Sequence, residues 1–210
     1  KKSILLTFDD GYKDHWKYVY PYLKKKKISG NFYPPVKVIE NKKVLDVNKI
    51  HFILEKEEDR EKLLKLIFRY IKKFMNKSAD ELRINKISTK SRYDDKNTII
   101  IKKLLQYYLP LKIREKILNK LFKSVIGLDE KKFSKILYMN SKNIMEMYKD
   151  KMVIGSHGYY HLWWEKISYK SKLNEIRNSI NFFKKIEVYD HNFSVCYPSG
   201  SYDLDTLKIL

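Results

Sequence analysis

Ile4-Leu5-Leu6-Thr7-Phe8-Asp9-Asp10-Gly11 is the stretch on which the fold turns. From Ile4 to Phe8 it is uncharged and nearly all apolar, the composition of a strand buried on both faces of a parallel sheet. It ends abruptly in two carboxylates and a glycine. A helical pattern follows from His15 to Lys27, then Gly30 and a second strand over Asn31 to Tyr33, which Pro34-Pro35 stops. Strand, helix, strand implies parallel pairing and an α/β fold.

The same punctuation returns towards the C-terminus. Met152-Val153-Ile154 runs into Gly155-Ser156-His157, and Phe193 to Cys196 runs into Tyr197-Pro198-Ser199-Gly200. Each reads as a strand with reactive residues just beyond its end. Between them, Ser168 to Ile186 places Leu173, Ile176, Ile180 and Phe183 on one helical face. Asp203 to Leu210 starts a further helix that breaks off, so the chain is expected to be incomplete at its C-terminus.

The middle is different. Over residues 45–148 apolar positions recur every three or four residues, with one stripe of Leu63, Leu64, Ile67, Tyr70, Ile71 and Phe74 and another of Ile113, Ile117, Leu121 and Val125. Asp129 and Ser141 have the side chains of helix N-caps, and residues 85–97 read as a loop. The expected organisation is an α/β domain made of residues 1–44 and 149–210, interrupted by a helical insertion at 45–148. A structureless loop of that length would count against this reading, whereas a segment that brings its own helical core does not.

Composition sets limits on function. Hydrophobic residues make up 43% of the 210, enough for a real core. The single cysteine, Cys196, excludes an intrachain disulfide and a cysteine-based zinc site. The formal charge of +20, from 45 Lys and Arg against 25 Asp and Glu, would suit nucleic acid. The lysines are scattered along helices, however, and no zinc-finger, helix-turn-helix or RNA-binding signature accompanies them, so no nucleic-acid partner is expected. No apolar run approaches the ~20 residues of a membrane helix. No signal peptide precedes the first strand, so a cytoplasmic or membrane-peripheral location is expected. Nothing in the sequence specifies an oligomer.

Three reactive clusters lie just past three strands, and in α/β folds the carboxyl ends of parallel strands are where sites assemble. If the chain turns helical after Gly158, His157 and His161 stand four apart on one face and can grip one ion. A carboxylate after the first strand supplies a third ligand. Two imidazoles and one carboxylate leave open positions on zinc or a similar divalent ion, as catalysis needs. Adjacent aspartates on extended backbone point apart, so one of Asp9 and Asp10 can hold metal while the other faces substrate.

Thr7-Phe8-Asp9-Asp10-Gly11 resembles the first motif of the polysaccharide deacetylase (NodB-like) family, carbohydrate esterase family 4. Ser156-His157-Gly158-Tyr159-Tyr160-His161 resembles its second motif, and Tyr197-Pro198-Ser199-Gly200 is similar to a bacterial variant of its third. The resemblance implies a distorted (β/α) barrel, here with a large helical insertion. It implies a divalent metal cofactor, zinc by expectation, on Asp10, His157 and His161, with Asp9 as catalytic base. The backbone at Tyr197, Pro198, Ser199 and Gly200 would face the oxyanion, and Trp163 could stack on a sugar ring. The implied activity is metal-dependent removal of acetyl groups, N-acetyl above all, from an acetylated glycan or polysaccharide precursor. Two positions depart from the family pattern: Cys196 stands where an arginine often orients the base, and Leu162 where a proline often follows the second histidine. The family's general-acid histidine would lie beyond Leu210. These departures leave open a degenerate protein that binds glycan or metal without turnover. His15, His51 and His191 match no motif and are expected in packing or surface roles.

Overall fold

The computed structural model describes residues 2–87, 91–190 and 193–210. The chain divides into two compact units, Lys1–Lys43 with Glu130–Leu210, and Val44–Asp129.

The first unit is built on a small parallel sheet of β1 (Thr7–Asp9), β2 (Asn31–Tyr33) and β3 (Val153–Ile154), in the order β1-β2-β3. Its register sets Phe8 beside Phe32 and Phe32 beside Ile154. Phe32 is wholly buried, with the Phe8 ring stacked on it at 4.8 Å. The crossover from β1 to β2 is a wide helical turn, His15–Val19, that runs into α1 (Tyr20–Lys26). After Pro34-Pro35 comes α2 (Val36–Glu40), with the extended Pro35 at its N-cap.

Two strand expectations need correction. The first strand is Thr7–Asp9 rather than Ile4 to Phe8, and Ile4 and Leu5 are 88% and 69% exposed. It forms the edge of the sheet, and apolar composition alone does not separate an edge strand from a central one. Phe193 to Cys196 is not a strand: it joins the sheet through one parallel bridge, Ser156 to Val195. That bridge is held by Ser156 N–H donating to Ser194 O at 3.0 Å and Cys196 N–H donating to Ser156 O at 2.9 Å. Among the described residues the sheet is therefore open, so the unit is helix-rich and the expected barrel is not closed. Gly155 permits the close approach at the bridge, since a Cβ there would sit 2.5 Å from Ser194 O.

The α-helices that follow among the described residues of this unit are α3 (Glu130–Leu137), α4 (Ser141–Lys149), α5 (Tyr169–Lys185) and α6 (Leu204–Ile209). The helical pattern read through to residue 148 thus crosses a boundary, because α3 and α4 belong to the sheet-bearing unit. Asn140, one residue before the expected Ser141, caps α4 in a reciprocal box with Asn143 at 3.0 and 3.1 Å. Ser168 caps α5 and Asp203 caps α6. Asp203 also accepts from Lys172 Nζ, an ammonium group that is 2% exposed on α5. That pairing, helped by the Thr206 amide, pulls the Asp203 carboxyl down to about 2.

The second unit is helical. It contains Asp46–Lys56, Arg60–Met75, Lys96–Lys103 and Leu111–Leu121, the last two each continued by a wide turn, Leu104–Tyr108 and Phe122–Ile126. Leu63, Leu64, Ile67 and Ile71 from one stripe and Ile117 and Leu121 from the other are buried. Within the expected loop at 85–97, residues 88–90 lie outside the described residues, as does His191. Among the described residues no helix is long and apolar enough to cross a membrane.

Candidate active site

Every reactive cluster sits just past the carboxyl end of a sheet segment, and the parallel pairing brings those ends together. After β1 the backbone turns left-handed at Asp10 (φ 66°) and Gly11 (φ 68°). Aspartate tolerates this conformation better than most residues. The turn separates two neighbouring carboxylates: Asp9 stays exposed, while Asp10 swings inward under the histidines.

Asp10 Oδ1 lies 3.4 Å from His161 Nε2 and 3.8 Å from His157 Nε2. The ligand atoms of all three residues fall within 4.8 Å of one another. Donors around a single zinc, each about 2.0–2.2 Å from it, lie roughly 3–4 Å apart, so this set fits one divalent ion. The other oxygen, Oδ2, accepts from the Tyr12 hydroxyl at 3.1 Å. Tyr12 is a holding residue that sequence reading missed; its place directly after Asp-Asp-Gly was the available signal.

The two imidazoles meet edge to face, with centroids 4.8 Å apart at 70°. They do not stand on a helix. Residues 157–163 form a loop in which Gly158 (φ 75°) and His161 (φ 58°) are left-handed, and this loop, not helical periodicity, turns both rings the same way.

His157 is 4% exposed, and its Nδ1 is 2.6 Å from Cys196 O. A carbonyl only accepts, so Nδ1 carries the proton and Nε2 presents its lone pair to the triad. Burial first, and then the neighbouring His161, hold His157 below the ordinary histidine range. It is thus the neutral form that a metal requires. Burial works against ionisation of Asp10, but His161, His157 and Tyr12 outweigh it and keep the carboxyl below its usual value. A carboxylate beside two imidazoles is a donor set that a catalytic divalent ion could use.

Cys196, at the position of the family's arginine, lies with Sγ 3.7 Å from Asp9 Oδ2. Burial, with help from Asp9, pushes its thiol up to about 11, so it offers Asp9 an S–H and no positive charge. Asp9, His157 and Cys196 form a second cluster of possible ligands, sharing His157 with the first.

The remaining expected residues are placed less centrally. Tyr197 is half-buried with its ring 4.9 Å from that of Tyr202, and Pro198 is buried. Ser199 (φ 57°) and Gly200 (φ 64°) are exposed and left-handed. Trp163 is half-buried, whereas Trp164 is wholly buried in the core. His15 packs between Phe8, Tyr12 and Phe32, as a core histidine does.

The family described as polysaccharide deacetylase matches residues 1–83 and 128–210, well over half of the chain. No curated protein matches it in sequence. Among solved structures, the Streptococcus pyogenes deacetylase PplD in complex with acetate aligns with a TM-score of 0.50 at 15% identity. The alignment covers 100% of this chain and 51% of that one, so the chain spans about half the length of the similar structure. This second likeness is one of fold.

Proposed function

Since the chain belongs to the polysaccharide deacetylase family, we propose that it is a metal-dependent hydrolase that removes acetyl groups, chiefly N-acetyl, from a glycan. The observation that carries this reading is the convergence of Asp10, His157 and His161 from two distant loops, with donors 3.4 and 3.8 Å apart. These three side chains would hold the ion, and zinc suits their mixed nitrogen and oxygen donors. A divalent ion held there would supply Lewis acidity toward the acetyl carbonyl and toward water.

The protein's own groups do the rest. Asp9, exposed and beside the Cys196 thiol, accepts the proton that water gives up as it attacks. Backbone N–H groups in the segment Tyr197-Pro198-Ser199-Gly200 face the oxygen on which negative charge develops. The Tyr12 hydroxyl and Cys196 O keep Asp10 and His157 in their ligand orientations. Trp163 supplies an aromatic face for a sugar ring. The helical unit Val44–Asp129 is an insertion into this domain, in line with residues 84–127 falling outside the family match.

A second reading, a protein that binds glycan without turnover, draws on Cys196 standing beside Asp9 in place of a cation. Acetate release decides between the two. The zinc-loaded chain, incubated with an N-acetylglucosamine oligomer and separately with an O-acetylated glycan, is expected to release acetate from the first and to stop when the metal is chelated. Retention of the oligomer with no acetate from either substrate would favour the second reading.

A further inference from the structure

We propose that Glu175 is the positioning residue of the metal-binding loop: its buried carboxylate clamps the Tyr159 and Tyr160 amides and thereby fixes where His161 points. The inference rests on the reading of Asp10, His157 and His161 as ligands.

Glu175 lies on α5 and is 2% exposed. Its Oε2 accepts from Tyr159 N at 3.0 Å and Tyr160 N at 2.9 Å, and Oε1 accepts a longer bond from Tyr160 N at 3.2 Å. Among the described residues no lysine or arginine forms an ion pair with it, so backbone amides are its main compensation. Burial, only partly offset by those amides, pushes its carboxyl up to about 7. A carboxylate in such a place is expensive to keep, and the segment it grips lies between the two histidines.

The opposite edge of that segment is held as well. Gly158 O and Tyr159 O accept from Val36 N at 3.3 Å and Lys37 N at 2.9 Å, at the start of α2. Loop 158–160 is thus pinned through its donors by Glu175 and through its acceptors by α2. The residue that emerges from this clamp is His161, in a left-handed conformation that a non-glycine residue keeps only under constraint. Gly158 shows how tightly the loop lies on the carboxylate, since a Cβ there would come 2.8 Å from Glu175 Oε2.

Two variants separate reach from charge. Glu175→Gln keeps the side-chain length and, with its carbonyl oxygen at the Oε2 position, both short bonds. Glu175→Asp keeps the charge but withdraws it by one methylene. The readouts are amide hydrogen exchange in the metal-free chain and Co2+ affinity from its visible absorption. In E175Q, Tyr159 and Tyr160 are expected to stay protected, with Co2+ affinity within about threefold of wild type. In E175D those two amides are expected to exchange at least about tenfold faster with α5 protection unchanged, and Co2+ affinity to fall about 10- to 100-fold. Equal exchange at Tyr159 and Tyr160 in E175D and wild type, or an unchanged Co2+ affinity and spectrum in E175D, overturns the proposal. If the exchange contrast is present but wild type takes up no Co2+, the clamp stands and the ligand assignment fails. If wild type binds Co2+ and the contrast is absent, the clamp alone fails.

Discussion

Asp9→Asn is expected to slow acetate release by the zinc-loaded chain about 10²- to 10⁴-fold, the usual contribution of a positioned general base. Metal affinity should barely change. The left-handed turn at Asp10 separates the two carboxylates: Asp10 lies under both imidazoles, while Asp9 is exposed, near His157 and 3.7 Å from the Cys196 thiol. Asparagine keeps the shape of the side chain and loses the ability to take a proton. Initial rates at saturating zinc, with zinc affinity measured in parallel, separate the roles. A D9N chain that hydrolyses at the wild-type rate would place the base elsewhere, and one that loses zinc would make Asp9 a ligand.

Trp164→Ala is expected to lower stability by about 3–5 kcal/mol, the cost of emptying a large aromatic site in a packed interior. Among the described residues Trp164 is the largest fully buried side chain, and it lies three residues after His161. Its indole N–H meets no hydrogen-bond acceptor, so Trp164→Phe, which removes that unpaired donor and keeps most of the ring volume, should cost far less. In a chain of this size 1 kcal/mol moves the melting temperature by roughly 2–4 °C, so a drop of about 6–20 °C is expected for W164A. A drop under about 3 °C would mean that the core closes over the missing ring.

What the sequence made legible was position along the chain. The second strand falls at Asn31–Tyr33 as expected, α5 lies within one residue of the expected helix, and the candidate ligands follow β1 and β3. What it hid was set by tertiary contacts. Ile4 and Leu5 look like core residues but flank an edge strand. The four-residue spacing of His157 and His161 fits a helix, yet a loop with two left-handed residues delivers the same convergence. Nothing in the helical pattern of Ser168 to Ile186 singles out Glu175. Only the loop packed over it makes it buried, and that loop comes from another part of the chain. Phe193 to Cys196 has strand composition, but a single bridge is all it forms.

Zinc stoichiometry shows whether the two distant loops converge on one metal ion. Equilibrium dialysis of the purified chain beside His157→Ala/His161→Ala, followed by metal analysis at neutral pH and near pH 5, gives both number and affinity. One tightly held zinc per wild-type chain is expected, with more than about a hundredfold weaker binding in the double variant, beyond the loss that outer partners of a ligand cause. Because burial and His161 hold His157 below its ordinary range, protons should compete for that ligand only below the pH at which a free histidine would be protonated. A folded wild-type chain that takes up no zinc, or a double variant that binds it equally well, would mean that Asp10, His157 and His161 do not form a metal site.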